Sequence, residues 1–181
     1  EYGAGANPQS HALPIVVRPG NQTDGEHTEE YQAFYHETYW NEMKRRPFLW
    51  GKYVWNMFDF ASDGRKEGGA PGMNDKGLVT FDRQTKKDAF FWYKANWSSE
   101  PFVYITSRRF ANLPAVATDV RVYSNLDSVE LSLNGATLGK QAGTDHIFVW
   151  HNVAWRTGPN VVAATGSRGA TPLRDVVTWT K

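Results

Sequence analysis

The sequence predicts an α/β segment over residues 1–100 followed by an all-β segment over 101–181. Three observations carry that reading. A helical pattern at 28–46 runs directly into the aromatic, apolar stretch 48–60. Seven short stretches of alternating polarity follow Glu100-Pro101. Asn134-Gly135 lies between two of them and is a strong two-residue hairpin signal.

The elements follow in order. Residues 7–27 hold three Pro and two Gly among polar residues, so they read as a long loop of the kind that lines a site. Thr28 suits a helix N-cap, and Glu29 and Glu30 suit the positive helix start. Tyr31, Phe34, Tyr35, Tyr39 and Met43 recur near helical spacing and form the expected packing face. His36, mid-helix, reads as a packing or surface residue. Lys44, Arg45 and Arg46 suit the last turn, and Pro47 ends the helix. Residues 50–57 then read as a buried parallel strand, 61–77 as a Gly-rich charged loop, and 86–96 as a second helix. Asp63, Arg65 and Glu67 read as solvated loop charges or interdomain salt bridges. With a strand just before Glu1, this is the tail of a repeating βα pattern. The chain opens without Met and without a signal-peptide pattern, so it reads as the interior of a longer chain.

Strands are expected at 102–108, 119–123, 128–133, 136–140, 147–152, 160–165 and 175–180. Val129, Leu131 and Leu133 alternate with Glu130 and Ser132, as in a half-buried strand. Seven short strands over this length suggest an antiparallel, immunoglobulin-like β-sandwich.

Composition removes several functions. Twenty basic residues against nineteen acidic leave a net charge of +1, too little for a general nucleic-acid field. No apolar run approaches the ~18–20 residues that span a bilayer. Cysteine is absent, which excludes disulfide scaffolds, thiol catalysis and Cys-based zinc sites. The five His residues offer no i, i+4 pair with a third ligand, so no metal site is expected. Residues 68–72 lack the Lys-Ser/Thr ending of a phosphate loop, and no cofactor is expected. Aromatics are abundant, with 8 Trp, 8 Tyr and 10 Phe, which suits either a core of large side chains or flat faces for sugar stacking.

Carboxylates then carry the chemistry. Glu1 stands before a small-residue loop, where a carboxylate can act as nucleophile or electrostatic stabiliser. His11, on the same loop, is a candidate for facing the substrate.

Three motifs match a known family in order and spacing. Glu1-Tyr2-Gly3-Ala4-Gly5, then Trp50-Gly51 with Val54-Trp55-Asn56-Met57-Phe58-Asp59-Phe60, then Asn74-Asp75-Lys76-Gly77-Leu78-Val79-Thr80-Phe81-Asp82-Arg83 resemble the family 2 glycoside hydrolases, above all bacterial β-galactosidases. The resemblance covers about residues 1–110, and the all-β remainder resembles the immunoglobulin-like domain that follows the barrel in that family. It implies that residues 1–100 are the closing βα units of a (β/α)₈ TIM barrel, with 101–181 the sandwich. It implies Glu1 as catalytic nucleophile after the seventh strand, and 50–57 as the eighth strand.

The implied reaction is hydrolysis of terminal β-linked sugars with retention, which needs a second carboxyl about 5–5.5 Å from the first. The family's acid/base lies in an Asn-Glu pair upstream of the nucleophile. Here Asn41-Glu42 falls inside the first helix, so the proton donor is expected outside this chain and the isolated 181 residues are expected to be inactive. The resemblance further implies that Trp55 walls the sugar site, that Asn74 and Lys76 contact the sugar's outer groups, and that Asp59 braces the site. The implied partners are a carbohydrate and the remainder of the chain's own barrel, with homo-oligomer formation and compartment left open. Two alternatives stand beside this reading. Asn74-x-Lys76 also resembles β-glucuronidases, where the pair binds the substrate carboxylate. Residues 102–181 alone would make a carbohydrate-binding or spacer module, using Trp150, Trp155 or Trp179.

Overall fold

The structure, a computed structural model, describes residues 1–15, 27–66, 68, 71–113 and 115–181. The middle of the expected 7–27 loop and Glu67 in the 61–77 loop lie outside the described residues. The chain divides into two compact units, Glu1–Phe90 and Phe91–Lys181.

In the first unit, helix α1 spans Glu29–Lys44. Thr28 caps it, its hydroxyl accepting from the Tyr31 amide at 3.3 Å. Glu29 and Glu30 stand in its first turn and Lys44 in its last, complementing the helix dipole. The buried face is not the expected aromatic one. It comprises Glu29, Glu30, Gln32, Ala33, His36 and Glu37, whereas Tyr39 is 46% exposed. The reason is that this interior is built on hydrogen bonds. Gln32 Nε2 donates to the Ala4 and Gly77 carbonyls, and Glu29 Oε1 accepts from the Asp88 amide at 2.8 Å.

The expected strand at 50–57 forms no continuous ladder. Val54 makes one parallel bridge, to Tyr2, and Phe58 makes another, to Val79. The segment is extended but changes partner as it runs. Tyr53 and Trp55 pair with Tyr2, and Asn56 then pairs with Lys76 and Leu78. Each ladder ends after one or two residues, too few for a regular strand. Short strands β1 (Phe60–Ala61) and β2 (Met73–Asn74) pair antiparallel inside the region read as loop. Helix α2, Asp88–Trp97, runs close to its expected bounds and carries the division between the units.

The second unit is β-sandwich-like, and all seven expected strands are present. They are β3 (Val103–Ile105), β4 (Ala117–Ser124), β5 (Ser128–Leu133), β6 (Ala136–Ala142), β7 (Ile147–Ala154), β8 (Pro159–Arg168) and β9 (Thr171–Thr180). They form two antiparallel sheets, in the orders β3-β4-β7 and β6-β5-β8-β9. The β5–β6 turn has φ of 52° at Asn134 and 86° at Gly135, the two positive values a type I′ hairpin requires.

Alternation along the strands sends Val120, Val122, Val129, Leu131, Phe148, Val162 and Val177 into one core. Trp150, Trp155 and Trp179 join it, with Trp155 and Trp179 edge to face at 5.5 Å. Their faces are spent on packing, which removes them as sugar platforms. Phe91, on α2, stacks on Tyr104 at 3.6 Å and Trp92 tilts against Tyr123, so the end of the helix packs on the same unit.

Candidate active site

The first unit collects its chemistry where three backbone segments meet. The Tyr2 amide donates to the Tyr53 carbonyl at 3.0 Å, and the Trp55 amide donates to the Tyr2 carbonyl at 2.7 Å. Glu1 therefore sits beside the Val54–Trp55 segment. Asn56 continues the contact outward, its amide donating to the Lys76 carbonyl at 3.1 Å and its carbonyl accepting from Leu78 at 2.9 Å. Glu1, Trp55 and Lys76 are thus carried on neighbouring, hydrogen-bonded segments of one unit.

The local sequence explains the close approach. A Cβ on Gly3 would collide with the Trp55 carbonyl oxygen, so only glycine lets the two segments pair. Glu1 is exposed. Trp55 is 39% exposed and meets Phe60 edge to face at 5.9 Å, which leaves part of the indole open to a ligand.

Asn74 is buried, its Oδ1 accepting from the Lys76 amide at 3.1 Å. That turn sets the direction in which Lys76 leaves the backbone. Lys76 is half-buried, and no described group bonds its ammonium. Asp59 is buried beneath the loop, where its Oδ1 accepts from the Gly77 amide at 2.8 Å and from Lys87 Nζ at 2.9 Å. His11 is engaged on both ring nitrogens. Nδ1 lies 2.9 Å from Glu30 Oε1 and Nε2 lies 3.0 Å from the Pro8 carbonyl. Burial disfavours its charged form, but the hydrogen bond and charge of Glu30, the charge of Glu29 and the Pro8 carbonyl together raise its pKa above the usual value.

Sequence reasoning missed two side-chain pairs behind these residues, Lys87 with Asp59 and His27 with Asp75. Lys87 is fully buried and donates to the Ala6 carbonyl at 2.7 Å, the Asp75 carbonyl at 2.9 Å and Asp59. Three acceptors around one nitrogen match the three hydrogens of an ammonium. Burial pulls Lys87 down and pushes Asp59 up, while each holds the other in its charged form. His27 Nδ1 lies 2.7 Å from Asp75 Oδ2. The only local hint was a Lys beside the start of the second helix; its partners lie 12 to 81 residues away. Among the described residues no cluster of three or more His, Asp or Glu could hold a metal ion. No helix among them is long and apolar enough to cross a membrane.

Comparison with known proteins shows what the chain is similar to. A β-glucuronidase of Bacteroides fragilis is 42% identical over 180 residues, an overlap covering 98% of this chain and 26% of that protein. This chain belongs with the β-glucuronidase and β-galactosidase-like proteins of glycoside hydrolase family 2. Among solved structures, a Bacteroides fragilis protein provisionally named a β-galactosidase superposes on this family 2 chain with a TM-score of 0.92 at 41% identity, covering 99% of this chain and 27% of the other. Bacteroides uniformis β-glucuronidase 2, covalently bound to cyclophellitol-6-carboxylate aziridine, superposes with a TM-score of 0.83 at 30% identity, covering 99% and 21%. The chain spans about a quarter of the length of these relatives. Residues 116–171 of the family 2 chain also match a domain of unknown function, DUF4982.

Proposed function

We propose that this chain is part of a retaining β-glycosidase whose substrate is a β-glucuronide. The observation that carries the sugar choice is Lys76. Its ammonium has no described partner, and its backbone is hydrogen-bonded to the segment that bears Trp55. A lysine held in that way offers three donors to a sugar carboxylate. The glucuronidase name of two relatives, and the 6-carboxylate ligand bound covalently to one of them, support the same class. A galactoside is the second reading, favoured by the structure that carries the galactosidase name.

In this reading the first unit closes a (β/α)₈ barrel, whose active site gathers at the C-terminal ends of its strands. Glu1 is the nucleophile and attacks the anomeric carbon, displacing the aglycone to form a glycosyl-enzyme ester. A carboxylic acid outside these 181 residues protonates the leaving oxygen, then deprotonates the water that releases the sugar. Trp55 supplies an apolar wall for the sugar face. Asn74 shapes the turn that presents Lys76, and Asp59 anchors that turn from below. Because the proton donor lies elsewhere, the 181 residues alone do not turn over.

The test is turnover of p-nitrophenyl β-D-glucuronide and β-D-galactoside by the full-length protein and its Lys76→Ala variant. Losing one hydrogen bond to a charged group, about 1.5–3 kcal/mol, lowers kcat/KM on the glucuronide by about 10–150-fold and leaves any galactoside rate little changed. Equal losses on both sugars, or turnover of the galactoside alone, would refute the glucuronide assignment.

A further inference from the structure

We propose that Lys87 is a positioning residue that aims Lys76 by clamping the 74–77 loop from within the protein. The proposal rests on the reading of Lys76 as the contact to the sugar carboxylate, and adds a residue that never touches substrate.

The geometry is that of a three-way pin. The Lys87 ammonium, fully buried, holds Ala6 of the loop after Glu1, Asp75 of the 74–77 loop, and Asp59 beyond the Trp55 segment. Asp59 in turn accepts from the Gly77 amide. The ion pair therefore grips the loop on both sides of Lys76, at the Asp75 carbonyl and at the Gly77 amide. Lys76 is fixed on its own account too. Its amide bonds Asn74 Oδ1 and its carbonyl bonds the Asn56 amide. With both neighbours and both of its own backbone groups tied, the backbone holds the direction in which Lys76 projects, and little order remains to be imposed when an anion binds. Gly77 is packed so tightly on Phe58 and Asp59 that a Cβ there would collide with the Asp59 amide, so the loop has no room to shift while the pin is in place.

The test uses the full-length protein with two variants. In Asp59→Asn/Lys87→Met, the polar Asn side chain still accepts from Gly77 and no buried charge is stranded. In Lys87→Arg, the charge stays but a planar fork replaces the three-pronged donor. Both are read by thermal melting, by kcat and KM on p-nitrophenyl β-D-glucuronide, and by amide hydrogen exchange at Asp75–Leu78. We expect folded proteins whose glucuronide KM rises by about tenfold or more with a smaller change in kcat, and faster exchange at Gly77 and Leu78. Combining either variant with Lys76→Ala should add little further loss, since both act through one ammonium. A folded variant with unchanged KM and unchanged exchange overturns the proposal. If the wild-type protein does not turn over the glucuronide, it is the substrate reading that fails. Unchanged exchange overturns the clamp whichever sugar is used.

Discussion

The Trp55 amide donates to the Tyr2 carbonyl at 2.7 Å, and that bond pairs the residue after Glu1 with the backbone segment that bears the Trp55 indole. Trp55 reaches this position because Gly3 has no side chain to meet its carbonyl oxygen. Replacing Gly3 with Ala puts a methyl group where that oxygen lies. The two segments must part, and misplacement on the ångström scale costs about a hundredfold in rate. The full-length Gly3→Ala variant should therefore lose about two orders of magnitude in kcat/KM. A variant with wild-type kinetics would show that the pairing does not position the nucleophile.

Glu1→Gln keeps the shape of the side chain and removes the attacking charge. In the full-length protein kcat should fall by about a thousandfold or more, the scale on which losing one member of a covalent-catalysis unit acts. Incubation with an activated glucuronide and mass spectrometry check the mechanism directly. A glycosyl adduct should appear on Glu1 in the wild-type protein and be missing in the variant.

His11 gives the fold a pH dependence whose sign is determined by its partners. Both ring nitrogens face acceptors, Glu30 Oε1 and the Pro8 carbonyl, and only the protonated ring donates to both. Its pKa is raised above the ordinary 6.5. The stabilisation is therefore complete below about 6.5 and fades as pH rises through the raised value. The melting temperature of the wild type, relative to His11→Asn, should fall over that window. A difference that stays flat across it would remove the charged-histidine assignment. His36 acts with the opposite sign. Burial holds it neutral, with a pKa of about 3, so it lowers stability as pH falls below 6.5.

The sandwich core offers a control that leaves the site alone. Leu131 is fully buried in the centre of β5. Leu131→Ala should cost about 2–5 kcal/mol of unfolding free energy, through lost transfer and the cavity left behind. Gly135→Ala should cost only about 1–2 kcal/mol. Nothing lies within 4 Å of its new methyl, and the penalty is the left-handed backbone alone. Denaturant titration separates the two. Equal losses would mean that the hairpin, and not the packing, governs this unit.

Strand positions in the second unit and the bounds of α1 were legible because their causes are local. Alternation at Val129, Leu131 and Leu133 marks a strand wherever it lies, and Thr28 caps a helix through a bond three residues long. The role of the Trp residues there was not legible, because an indole that stacks on sugar and one that packs in a core are the same residue until its neighbours are placed. In the first unit the same limit cost more. The aromatic spacing of α1 pointed to Tyr31, Phe34 and Tyr39, yet the helix buries Gln32 and His36, because its neighbours are carbonyls and buried charges.

Residue identity by itself determined the two helices, the sandwich alternation and the three motifs that mark the glycosidase family. Only the tertiary structure decided that Lys87 reaches Ala6, Asp59 and Asp75 at once, and that His11 is consumed by Glu30. The physical reason is range. Caps, turns and alternation act over a few residues and leave a local pattern. A buried ammonium is satisfied by whichever carbonyls the folded chain brings within 3 Å, and chain order carries no trace of those.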